Sequence, residues 1–297
     1  MRSVDPFEFV RVYNRIQVDK PENIMVYHYT TTEALLSILK YESLWFSDRG
    51  YLNDTSEGLL PLTILEEVLD QIDVYQGLKD QLRVCIQEQK EKRIHGSKRA
   101  YILSFSVDSD SLCLWNYYTK GNQIQGYNIG FQAGLLTRAF HGDRPGKSSA
   151  FTPIQRRVEY DKDRQVDAVV SVIKSLLEVT RENETQFTAE YIVDKITSLG
   201  YFFKPKCFSI ENEYRMVIIW DNRFPSKEYL LKEEDYRCWN GLFIPYREVH
   251  FLSNECLKSV TVSPTVDFEL ARSSLKERFQ SIPMLRLKNQ MYRFDID

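Results

Sequence analysis

From Met25 the chain moves between two hydrophobic rhythms. Met25, Tyr27 and Tyr29 alternate with Val26, His28 and Thr30, which is the period of a strand. Thr30-x-x-Glu33 has capping-box spacing, and Ala34, Leu35, Ile38 and Leu39 then recur at helical intervals, so a helix should follow at once. Ser43 to Ser47 reads as a second strand, closed by a polar loop with Asp48, Asn53, Asp54 and Glu57. Leu59, Leu60, Leu62, Leu65, Val68, Leu69 and Ile72 stripe a long helix or a pair of helices between Gly58 and about Arg93, with a break expected near Gly77. Ala100 to Ser106 is a strand, and Asp108 or Ser109 should cap the short helix that carries Trp115. Gly126 to Phe131 is a strand and Gln132 to Phe140 a helix.

The later half continues the mixture. Phe151 to Tyr160 reads as an edge strand, because Pro153 cannot donate to a ladder. Amphipathic helices are expected over Asp163 to Val179 and Thr185 to Leu199, and Glu213 to Trp220 is strongly β. Tyr229 to Phe251 should hold two strands, Val260 to Val262 a third, Thr265 to Phe279 a helix and Met284 to Phe294 a last strand. Phe9, Val12, Tyr13 and Ile16 suggest a helical lead-in before Lys20. No repeat or linker interrupts this order, which predicts a single α+β domain over 1–297 with helical insertions at 58–97 and 161–203.

Composition narrows the partners. A net charge of −3 and a pI of about 5.9 give no global field toward nucleic acid or anionic lipid. The basic run from Lys90 to Arg99 ends an amphipathic helix and reads as a solvated terminus. The aromatic share of 13% favours a sheet fold with stacking surfaces. Five cysteines, none in a C-x-x-C pair, and no apolar N-terminal run lead us to expect a reduced, cytoplasmic protein without a resident metal. The longest apolar run, Met216 to Trp220, is too short to cross a bilayer, so no membrane partner is expected.

Several clusters could carry chemistry. The strand end at His28, Tyr29 and Thr30, beside a helix start, would suit an anionic or hydroxylated ligand, or be a strand histidine and a polar loop only. Ser104 and Ser106 share a strand face, and Ser111, Trp115 and Tyr118 share a helix face that could stack a planar ring; Trp115 could equally be core. Glu211 and Glu213, two apart where a strand begins, should share a face with Arg215, either as a working carboxylate pair or as a surface ladder. Asp48, Asp54, Glu57 and His28 offer hard-cation ligands at no recognised spacing, a metal-dependent hydrolase alternative. His141 to Ser149 looks like a phosphate loop, but Gly142 and Gly146 are too close, and a helix precedes where one should follow.

In order, YHYT, SLWFSD, LND-x-x-E, LSFS, DS-x-x-x-W-x-x-Y, GF and E-x-E-x-R resemble an uncharacterised bacterial family of unknown function (DUF2971-like) from Tyr27 to about Pro264. The layout is also similar to the ADP-ribosyltransferase fold, and that resemblance implies a split, mostly antiparallel sheet gripping NAD as a consumed substrate. It implies that His28 takes the first-strand position and holds the adenosine ribose. Ser104 or Ser106 would take the middle position, with Tyr101 and Tyr118 as substitutes. Glu213 would be the catalytic carboxylate and Glu211 the residue that orients an unknown acceptor. Tyr29, Thr30, Trp115, Tyr118 and Arg215 would complete the NAD site. The pairing of a first His with a middle Ser mixes two branches of that fold. The expected activity is ADP-ribosyl transfer or NAD glycohydrolysis, in a toxin or phage-defence setting; the alternative is a nucleotide-sensing module without turnover.

Overall fold

The computed structural model describes residues 23–52, 58–91, 98–119, 125–141, 153–183, 188–221, 231–239, 241–251, 254–279 and 287–289. These fall into two compact units.

The first unit is a sheet with helices on it, drawn from Lys20–Tyr51, Lys98–Arg157 and Ile210–Asp297. Its strands are β1 (Met25–Thr30), β2 (Ser43–Asp48), β3 (Lys98–Ser106), β4 (Tyr127–Gln132), β5 (Ile154–Arg157), β6 (Glu213–Asp221), β7 (Leu231–Trp239), β8 (Leu242–His250), β9 (Leu257–Val262) and β10 (Leu287–Asn289). They form one ten-stranded sheet, antiparallel throughout except where β10 joins β9. The architecture is α+β.

β3 is the strand from which the sheet divides. β6 pairs with it along its whole length, from Lys98↔Asp221 to Ser106↔Glu213. On its other side β2 takes only Tyr101 and Ile102, while β1 takes only Ser106. Residues 103–105 therefore face a gap between β1 and β2. Beyond the gap one arm runs β1–β4–β9–β10 and the other β2–β8–β7.

Alternation sorts the side chains into two faces. Tyr101, Leu103 and Phe105 of β3, with Tyr214, Met216 and Ile218 of β6 and Phe131 and Ile129 of β4, enter one hydrophobic core. Val26, Leu44, Phe46, Val249 and Val260 of other strands join it, and three helices cover it: α1 (Thr32–Tyr41) through Leu35, Ile38 and Leu39, α5 (Ala133–His141) through Leu136 and Phe140, and α8 (Phe268–Arg278) through Ala271 and Leu275. The opposite face is polar yet buried: Ser259, Thr261, Asn128, Ser106, Glu213, Arg215 and Arg156 all lie on it with little exposure. α4 (Leu112–Tyr118) packs Leu114 and Trp115 against Tyr29 on this side.

The second unit is helical and comes from Leu52–Ser97 and Val158–Ser209. It holds α2 (Leu60–Val68), α3 (Gln76–Glu91), α6 (Lys162–Asn183) and α7 (Ala189–Leu199), with α3 on α7 and α2 on both α6 and α7. The two expected insertions thus pack on one another as a unit of their own. Their apolar stripes meet (Leu62, Leu65, Leu78, Leu82 and Ile86 with Ile192, Val193 and Ile196), which explains why each is amphipathic.

Local expectations shift by small amounts. Thr31 rather than Thr30 caps α1, its Oγ1 accepting from Ala34 N at 3.3 Å, because Thr30 is the last residue of β1. Ser111 caps α4, while Asp108 and Asp110 lie in the turn before it. The helix break falls after the short turn Leu69–Gln71, and Gly77 sits inside the first turn of α3. The lead-in before Lys20, the polar loop residues Asn53, Asp54 and Glu57, and nearly all of the His141 to Ser149 loop lie outside the described residues. Among the described residues no helix is long and apolar enough to cross a membrane.

Candidate functional site

The C-terminal end of β3 brings three adjacent strands into register. Tyr27 of β1 stands opposite Ser106, and Ser106 stands opposite Glu213 at the start of β6. Two residues further along the same face, Ser104 stands opposite Arg215, and Arg215 stands opposite Arg156 of β5. All of these occupy the polar face.

Glu213 is held firmly. Arg215, two residues along the same strand, donates from Nε to Glu213 Oε1 at 2.7 Å and from Nη2 to Oε2 at 2.9 Å. The two side chains are only 6% and 1% exposed. A bidentate Arg–carboxylate pair of this kind keeps the carboxylate ionised inside the sheet. The pairing of Glu213 with Arg215 on one face agrees with the strand period. Glu211 does not join them by that period: it ends the 3-10 turn Lys206–Glu211, and Asn212, with φ 43°, turns the chain between the two glutamates. Tyr118 of α4, 40% exposed, donates to Glu211 Oε1 at 3.4 Å, so Glu211 is placed by α4 and this turn, not by β6.

His28 lies elsewhere. Its partner in β4 is Ile129, and like Val26 it projects on the core side, its ring edge-on to Phe105 at 5.7 Å. The expected grouping of His28 with the Ser104 and Glu213 side chains is therefore not what the register gives; Tyr27 occupies the place opposite Ser106. His28 meets Ser104 through the backbone instead, with Nδ1 3.1 Å from the Ser104 carbonyl. A carbonyl only accepts, so Nδ1 carries the proton and Nε2 the lone pair. Burial pushes the imidazole below its ordinary pKa, the Ser104 bond opposes this, and the charge of Arg237 adds to it.

Other expected site residues are spent on structure. Ser106 Oγ donates to the Glu211 carbonyl at 2.8 Å and accepts from Asp108 N at 3.0 Å, stapling the turn after β3 to the turn before β6. Tyr29 OH donates to the Asp108 carbonyl and accepts from Ser111 N, and burial pushes its phenol well above the usual range. Trp115 is fully buried, edge-on to Tyr29 at 4.8 Å, with its indole N–H on Asp110 Oδ1. Thr30 is buried as well. Tyr29 and Trp115 therefore spend their polar atoms on the turn before α4, and Thr30 is buried at the end of β1. Tyr101 is a core residue, bonded to Glu234 beside Arg99.

Asp48, proposed as a cation ligand, instead accepts from Arg99 Nε at 2.7 Å and from Gly50 N, while Asp54 and Glu57 lie outside the described residues. Among the described residues no group of three His, Cys, Asp or Glu side chains could hold a metal ion.

Sequence reasoning missed Tyr27 and Arg237. The first was legible in the alternation of β1, since Tyr27 and His28 differ only in which face they take. The second carried no local signal: Arg237 reaches Ser47 Oγ, 190 positions away in the chain, at 3.0 Å.

No curated protein and no solved structure matches the chain. Residues 114–216, from α4 to the middle of β6, match the model of the family described as a protein of unknown function, DUF2971, a narrower span of the family resemblance read from the motifs.

Proposed function

We propose that the polar face at the end of β1, β3 and β6 binds NAD or a related nucleotide and that the protein consumes it, as an ADP-ribosyltransferase or NAD glycohydrolase. The observation that carries this reading is the register Tyr27–Ser106–Glu213 across adjacent strands, with an ionised carboxylate fixed at its end. Cleaving the nicotinamide–ribose bond passes through an oxocarbenium-like state, which a nearby carboxylate stabilises. Glu213 is that carboxylate. A carboxylate offers about four lone-pair sites, and the ribose 2′-hydroxyl would donate to one of them. Glu211 and Tyr118, on the exposed side, receive the acceptor, whether protein, nucleic acid, small molecule or water. His28 has no role at the reacting carbon.

A second reading has its own support. Arg215 neutralises Glu213 and spreads its charge, which suits a module that senses a nucleotide without turning it over. Two measurements on one preparation separate the readings: NAD affinity by calorimetry, and free nicotinamide by chromatography. Binding with release supports consumption; binding without release supports sensing; neither removes the nucleotide from this face.

A further inference from the structure

Arg237 of β7 is a half-buried guanidinium without a counter-charge: among the described residues no carboxylate stands within ion-pair distance of it. Asp235 lies two residues before it on the same strand face, the spacing at which Glu213 and Arg215 pair, yet the two do not close. Asp235 accepts instead from Tyr246 OH at 3.2 Å and from Tyr236 N at 2.8 Å. Arg237 turns the other way, across β8, and donates from Nη2 to Ser47 Oγ of β2 at 3.0 Å. Its Nε is sealed from solvent with no hydrogen-bond partner. A guanidinium taken out of water without a counter-charge costs several kcal/mol, so a bound anion would relieve a cost the fold already carries.

The registers put this guanidinium on the face that carries Glu213. Arg237 stands opposite Ile244. Tyr246, two residues along β8, stands opposite Ser47, and Ser47 stands opposite Ile102 of β3. Two residues beyond Ile102 on that face is Ser104, and two beyond Ser104 is Ser106, opposite Glu213. Ser47 and Ser104 are therefore diagonal neighbours, as are Ser104 and Glu213, each step about 7–8 Å. Ser104 is part-exposed, and among the described residues its hydroxyl has no hydrogen-bond partner. The Ser47 hydroxyl accepts from Arg237 and keeps its own proton to donate. Outward from the carboxylate, the face thus offers one free hydroxyl and then a second hydroxyl beside a guanidinium. A single carboxylate or phosphate at Arg237 would leave Ser104 unused; two linked phosphates use both.

We propose that Ser104, Ser47 and Arg237 clamp the diphosphate of the nucleotide whose reacting ribose lies at Glu213. Ser104 donates to the phosphate next to that ribose, and Ser47 and Arg237 donate to the one beyond it. The clamp rests on the nucleotide reading above and narrows the ligand class to dinucleotides and nucleoside diphosphates, excluding mononucleotides.

Calorimetry of the full chain with ADP-ribose and with nicotinamide mononucleotide, beside nicotinamide release from NAD, tests it. ADP-ribose keeps the diphosphate and lacks nicotinamide; the mononucleotide keeps the nicotinamide ribose and has a single phosphate. Arg237→Gln should weaken ADP-ribose by roughly 10- to 100-fold, the worth of a hydrogen bond to a charge, and leave the mononucleotide unchanged. Ser104→Ala should weaken both, by roughly 3- to 10-fold. Arg237→Lys, which keeps the charge and loses the fork, should fall between the parent and Arg237→Gln. ADP-ribose binding that needs Arg237, in a chain that releases no nicotinamide, would uphold the clamp and remove the turnover. Nicotinamide release by the parent, with an Arg237→Gln chain of native circular dichroism that binds ADP-ribose as the parent does, would overturn the clamp and leave Glu213 its role. A mononucleotide weakened by Arg237→Gln as much as ADP-ribose is, or no binding of ADP-ribose by the parent, would overturn the clamp as well.

Discussion

Arg215 and Glu213 close a bidentate ion pair inside the sheet, two positions apart on one strand, with 1% and 6% of their surfaces exposed. Removing one partner of such a pair leaves a buried charge, which costs about 3–5 kcal/mol. Arg215→Met should therefore destabilise the chain by about that amount in a urea titration. Glu213→Gln should cost less, because the amide still accepts from the guanidinium. Equal losses from the two variants would show that the pair is not the unit that matters.

His28 ties stability to pH through its depressed pKa. An imidazole whose folded pKa lies below 6.5 binds fewer protons in the folded chain than in the unfolded one across the window beneath 6.5. Stability then rises with pH through that window and is lost as pH falls from neutral. His28→Asn cannot titrate, so it should flatten the drop in melting temperature between neutral pH and mildly acidic pH. An unchanged slope would place the effect on other groups.

Gly130 lies beneath Tyr27 and opposite Ser259, and a Cβ built on it would come within 2.3 Å of Ser259 Oγ and 3.1 Å of the Tyr27 ring. Gly130→Ala should cost about 1–3 kcal/mol by overpacking. Ser259→Ala removes the hydroxyl and should restore most of that loss, a coupling a double-mutant cycle measures directly. Additive losses would mean the strain is taken up by Tyr27 instead.

Much of this fold could be read from side-chain period. The β1–α1–β2 unit, the β3 and β6 strands and the two helical insertions all follow from apolar spacing, because each element buries one face against a neighbour. Register could not be read that way. Alternation says that Tyr27 and His28 take opposite faces of β1, but only the pairing with β3 decides which of them meets Ser106. The separation of Glu211 from Glu213 turns on one residue in left-handed conformation, Asn212, a residue type that tolerates it and so the one local hint in that segment. Arg237 and Ser47 meet only because β2, β8 and β7 are neighbours, and no short stretch of sequence contains that fact.

The account rests on the carboxylate of Glu213, and the rate of nicotinamide release from NAD by the parent chain and by Glu213→Gln tests it most directly. The parent should release nicotinamide, and the variant should be slower by roughly 10²- to 10³-fold with its fold intact. Undiminished release by the variant, or none by a parent chain saturated with NAD, would contradict it.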